Sequence, residues 1–207
     1  MSHDLSILQA ARLKGRPSEA DLTAAACLTE AETAEALAVV RSLIAAGELD
    51  RAGARLQLNA AGRARLDSLL TVERTTVDRR LLRKQYRDFG EINTAFKQLV
   101  TDWQLIDGTQ PNDHHDPEYD AHIVRQLAEL HRRFAPLLEQ FVRLVPRLAA
   151  YQRRFVRALD HVESGDHAWL ARPLIDSYHT VWFELHEELI GLAGLSRMRE
   201  ARTERAQ

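Results

Sequence analysis

The chain carries a single cysteine, Cys27, in 207 residues, so it has no intramolecular disulfide, and a small disulfide-stapled fold is excluded. No apolar run approaches the ~18 residues of a membrane span, and the opening residues lack the basic-then-apolar pattern of a secretory signal. Nor does one sign of charge prevail. The 28 basic and 30 acidic side chains leave a net charge of -2, so any attraction to nucleic acid or an anionic membrane has to come from a local patch. Phosphate-cradling glycine loops, G-x-S-x-G and HExxH are all missing. These absences predict a cytoplasmic, non-membrane protein that is not an enzyme and needs no cofactor.

What is present is an ordinary globular composition, 45% hydrophobic and 28% charged, enough for one large or two small domains. Leu5, Ile7, Leu8 and Leu13 mark a first helix that Gly15-Arg16-Pro17 stops, and Ser18 with Asp21 opens a second. Cys27-Leu28-Thr29 reads as a turn, with Cys27 a small buried side chain rather than a nucleophile. Thr29 with Glu32 is a capping-box pattern that starts a third helix, with Leu37, Val40, Leu43 and Ile44 inward and Gly47 at its end. Residues 48–59 alternate around Gly53 as a small hairpin does, and Ala60 begins another helix. The fold expected is mainly α: a winged helix-turn-helix over residues 1–70, an antiparallel helical bundle over 71–195, and a charged tail at 196–207.

The stretch AAGELDRAGARLQLNAAGRARL, residues 45–66, resembles the wing and exit helix of the MarR-like winged-helix regulators, a similarity that covers about a third of the chain. It implies a third helix lying in the DNA major groove and a wing, Arg51 to Arg55, following the adjacent backbone. Thr33, Arg41, Arg51 and Arg55, with Arg79 and Arg80 beyond, are then the DNA-contacting candidates. Charge argues the other way. Residues 1–70 hold eight basic and nine acidic side chains, a net of −1, and non-specific DNA affinity comes almost wholly from neutralised phosphates. Glu30, Glu32 and Glu35 open the helix that should read DNA. They complement its dipole, or they read cytosine amino groups. Any DNA contact is therefore expected to be weak and salt-sensitive.

Beyond Leu70 long amphipathic patterns take over. Residues 69–104 read as one long helix, or one broken near Gly90, and Arg79, Arg80, Arg83, Lys84 and Arg87 on it form either a solvated face or a phosphate-contacting patch. Asp116 and Pro117 start the next helix, Pro146 another, and the last runs from about Asp166 to Gly194 with Pro173 kinking or restarting it. The apolar faces of residues 77–103 and of the last helix exceed what such a bundle need bury alone, which predicts a homodimer.

Asp176, His179, Phe183, His186 and Ile190 fall on one stripe of that last helix. Buried polar groups need partners, and Asp102, Gln104, Asn112, Asp113, His114, His115 and Asp116 are the candidates. Three readings stand: histidines that only fix the fold, a pocket for an anionic or aromatic small-molecule effector walled by Trp103, Tyr178 and Trp182, or a metal site. No residue is assigned as a metal ligand. The layout, a winged helix before a helical domain bearing His and Asp, is similar to GntR-type regulators with a metal-containing effector domain. The opening LQAARLKGRPSEADLTAAACL also resembles helical inserts that accompany phosphoenolpyruvate-utilising enzymes, which implies a protein-interaction module, docking through the acidic third helix, with no DNA role.

Overall fold

In the computed structural model the protein is mainly helical and forms two compact units, one within Met1–Val77 plus Arg147–Tyr151 and the other within Asp78–Pro146 plus Gln152–Gln207. The structure describes residues 3–26 and 29–194, with the backbone alone at 30 and 31; the turn expected at Cys27 and the charged tail lie outside the described residues.

The first unit runs α1 (Asp4–Lys14), α2 (Glu19–Ala26), α3 (Glu30–Ala45), β1 (Leu49–Ala52), β2 (Arg55–Leu58) and α4 (Ala60–Thr76). The local signals act as their chemistry requires. Thr29 and Glu32 complete a reciprocal capping box at the start of α3, which satisfies two backbone donors left orphan by the first turn. Strands β1 and β2 pair antiparallel, Leu49 opposite Leu58 and Ala52 opposite Arg55. The two-residue loop between them places Gly53 at positive φ, as tight hairpins demand. The Leu56 N–H donates to the Pro17 carbonyl at 2.8 Å, tying the hairpin to the start of α2. Ile7, Leu8, Leu22, Val40, Leu43, Leu49, Leu56, Leu58 and Leu66 form the core, each contributing about 1.5–3 kcal/mol by leaving water. Asn59 caps α4. At Gly62 the helix passes so close to the hairpin that a Cβ would lie 2.1 Å from the Glu48 carbonyl oxygen.

The single helix expected over residues 69–104 is instead two. Helix α4 stops after Thr75-Thr76, whose β-branched successor Val77 is extended, and Asp78 caps α5 (Arg79–Gln104) by accepting from the Arg80 and Leu81 N–H groups. β-Branched residues are poor helix formers and aspartate is a strong cap, so the break falls there, and Gly90 sits inside an unbroken helix. Arg147 returns to the first unit through a two-pronged ion pair with Glu73, 2.7 and 2.8 Å.

In the second unit a two-residue hairpin, β3 (Leu105–Ile106) with β4 (Gln110–Pro111), which the sequence reading had as plain loop, links α5 to α6 (Pro117–Leu144). A short 3-10 turn at Pro146–Leu148 leads to α7 (Ala149–Glu163) and α8 (Ala168–Ala171). Of the kink or restart expected at Pro173, the structure has the restart: residues 172–177 leave helical geometry, with Leu174 at positive φ, and α9 (Tyr178–Ala193) begins at the Ser177 cap. Helix α5 packs on α6 and α9. Phe89, Phe96, Phe134, Phe141 and Phe155 interlock with Trp182 and Tyr178 at the centre. The apolar face of α5 is thereby consumed: Leu82, Phe89, Phe96, Leu99, Val100 and Trp103 are all buried within the chain. Of the apolar faces from which a dimer was expected, Leu81 on α5 and Phe183 on the last helix remain exposed. Among the described residues no helix is long and apolar enough to cross a membrane.

Candidate functional sites

In the first unit the candidate DNA contacts lie on α3 and the hairpin. Arg41 is exposed on α3, while the Thr33 hydroxyl is turned back to donate to the Thr29 carbonyl at 3.4 Å. The hairpin arginines are engaged. Arg51 donates to Glu19, and Arg55 donates to Asp21 at 3.2 Å and to the Arg16 carbonyl at 3.4 Å. Both acids come from the start of α2, whose Ser18 and Asp21 cap one another reciprocally. The hairpin surface is therefore close to electrically neutral.

In the second unit the predicted residues do not converge on one pocket. The stripe of Asp176, His179, Phe183, His186 and Ile190 was expected to point inward; Ile190 is buried, but His179 and Phe183 are exposed and His186 is half-buried. The neighbouring stripe of Tyr178, Val181, Trp182, Leu185 and Leu189 occupies the interior instead. It carries more apolar surface, and that decides which face turns in. Asp176 precedes α9 altogether.

Each predicted residue has its own surroundings. His179 lies against Phe96, ring centroids 6.1 Å apart, and desolvation pushes its pKa below the ordinary histidine value. His186 Nε2 meets the Tyr86 hydroxyl at 3.2 Å. Trp182 is an anchor of the core rather than a pocket wall: its indole N–H donates to Asn93 at 3.0 Å and its ring stacks on Phe96 at 4.3 Å. Tyr178 is fully buried, its hydroxyl 3.0 Å from His131 Nδ1. Burial raises the tyrosine's pKa and lowers that of His131, the latter opposed by Asp160.

The loop residues form a second group. His114 takes positive φ and sets Nδ1 3.0 and 3.1 Å from the two oxygens of the buried Asp120 carboxylate. Asn112 donates to the same carboxylate at 3.0 Å and to the Trp103 carbonyl at 3.1 Å, and the His114 ring rests on Trp103. The Gln104 carbonyl accepts from the Asn112 N–H, and Asp102 accepts from Gln98 through its side chain and from Tyr119 through its carbonyl. His115 is exposed beside Asp113, and its backbone N–H lowers that carboxyl's pKa. A histidine held by a carboxylate can move protons. Among the described residues no group of three or more His, Cys, Asp or Glu side chains could hold a metal ion.

Sequence reasoning missed a buried ionic cluster. Arg154 of α7 is almost wholly enclosed and donates to Asp176 at 2.9 and 3.0 Å and to Glu184 of α9 at 2.7 Å. Glu184 and Glu188 sit on the inner face of α9. Acids at i and i+4 within an apolar stripe were the signal available. No family model, no curated protein and no solved structure matches the chain.

Proposed function

We propose that the first unit is a winged helix of the regulator type, and that the chain is a regulator-like protein approaching duplex DNA with α3 and the β1–β2 hairpin. One observation carries this reading: a third helix, capped by Thr29 and exposing Arg41, runs directly into an antiparallel hairpin that presents Arg51 and Arg55. That is the order and the chemistry of a recognition helix followed by a wing. The contact is weak and salt-steep, because the segment is net negative and both wing arginines must leave carboxylate partners to meet phosphates. Fluorescence anisotropy of the full chain with duplex DNA over a salt series tests it. Binding that fades steeply between about 50 and about 200 mM salt supports it, and no binding at the lowest salt contradicts it.

The pairing of Arg51 with Glu19 and Arg55 with Asp21 favours a second reading, a winged helix that docks on a protein through the acidic start of α3. A neutral wing is no obstacle there. The absence of duplex binding at low salt selects this reading.

A further inference from the structure

Five cations are gathered at the start of α5. Arg79, Arg80, Arg83, Lys84 and Arg87 are all exposed and, with Leu81 and the Asp78 that caps the helix, line an open concavity of about 670 Å³. Lys84 pairs with Asp88 at 3.0 Å. Among the described residues the four arginines make no ion pair, in contrast to the carboxylate-bound Arg51, Arg55, Arg65, Arg147 and Arg154. Arg80, Arg83, Lys84 and Arg87 follow i, i+3, i+4, i+7 spacing, so they form one row about 10 Å long. Leu82, Gln85 and Phe89 face the core from the opposite side.

We infer that this row is a second nucleic-acid contact, which binds the phosphate backbone of a duplex without reading its sequence. The inference goes beyond the reading of the first unit and does not depend on it. Guanidinium groups match phosphate oxygens in pairs, and all but one of the five cations are arginines. Single-strand binding needs exposed aromatic rings for stacking, whereas Tyr86, the nearest ring, is half-buried and bonded to His186. Insertion into a membrane needs a free apolar face, and on this helix that face is buried, Leu81 excepted. Protein interfaces are anchored by buried aromatic or aliphatic groups, which the row does not offer. Arginine can also read guanine edges, so a loss that is equal on duplexes of unrelated sequence is the mark of a backbone contact.

The test is anisotropy of the full chain with two duplexes of unrelated sequence across a salt series. It compares the unaltered chain with Arg80→Gln/Arg83→Gln/Arg87→Gln, with the single variant Arg83→Gln and with Arg51→Gln/Arg55→Gln. Losing three phosphate contacts should flatten the slope of log affinity against log salt by about 2.7, and the single variant by about 0.9, equally on both duplexes. The hairpin variant should leave the α5 contribution intact, so failure of the first unit's reading shows separately. Unchanged slopes in both α5 variants overturn the inference. So does tighter binding to polyglutamate or to anionic phosphatidylserine vesicles than to duplex, lost on the same substitutions.

Discussion

Arg55 of the hairpin donates to Asp21 of α2 across 3.2 Å, 34 residues away in sequence, with both side chains largely open to water. An exposed pair of this kind contributes at most about 1 kcal/mol, so it holds the hairpin loosely and neutralises it effectively. Replacing its acidic side, Glu19→Gln with Asp21→Asn, should free Arg51 and Arg55 for phosphate, while the amide oxygen introduced in place of the Asp21 carboxylate still accepts from the Ser18 N–H. Duplex affinity should rise and its salt slope steepen by about 1.8, two contacts' worth. An unchanged slope would place the hairpin outside the interface.

Gly62→Ala should destabilise the first unit by about 1–3 kcal/mol, because the added methyl meets the Glu48 carbonyl oxygen at 2.1 Å and Leu58 Cδ1 at 2.7 Å. Amide exchange across α3 and the hairpin checks this. Protection equal to that of the unaltered chain would show that α4 and the hairpin are not in such close contact.

Removing Arg154 leaves Asp176 and Glu184 without their guanidinium. Arg154→Met should cost about 3–5 kcal/mol, and adding Glu184→Leu should recover part of it, since an apolar replacement of a buried pair is often tolerated. Trp103, Trp169 and Trp182 all lie in the second unit, so urea unfolding followed by tryptophan fluorescence isolates its stability. A loss below about 1 kcal/mol, the range of an exposed pair, would mean that the cluster is solvated in solution.

His131 and His179 both have folded pKa values lowered by desolvation. The unfolded chain takes up their protons near pH 6.5, and the folded chain only at lower pH. Below about pH 6.5 the unfolded state therefore holds more protons, and stability falls as pH drops through that value towards the folded ones. Above it their contribution is complete. His131→Gln should flatten this acid limb in urea midpoints taken from pH 7.5 down to 5. A limb of undiminished slope would contradict the assignment to His131.

Local chemistry was legible where one residue decides the outcome. Thr29 with Glu32, Gly53, Asn59 and Asp116 each set an element boundary through a bond or a φ value that follows from the side chain alone. The face of α9 was not legible by periodicity, because His179, Phe183, His186 and Ile190 keep the same spacing as Tyr178, Trp182, Leu185 and Leu189. Only the greater apolar area of the second set separates them. Arg154 escaped notice because its partners lie 22 and 30 residues away, in elements whose packing no local pattern fixes. The break at Asp78 was present in the sequence as a strong cap after a β-branched run, but the continuous amphipathic pattern around it masked the signal.

The central claim, that residues 3–77 contact DNA as a winged helix, is tested most directly by mapping amide shifts of the isotope-labelled full chain during titration with a short duplex at low salt. The account predicts perturbations centred on α3 around Arg41 and on the hairpin at Arg51–Arg55, besides those at the start of α5. Perturbations confined to α5, or absent from α3 and the hairpin at saturating duplex, would contradict it.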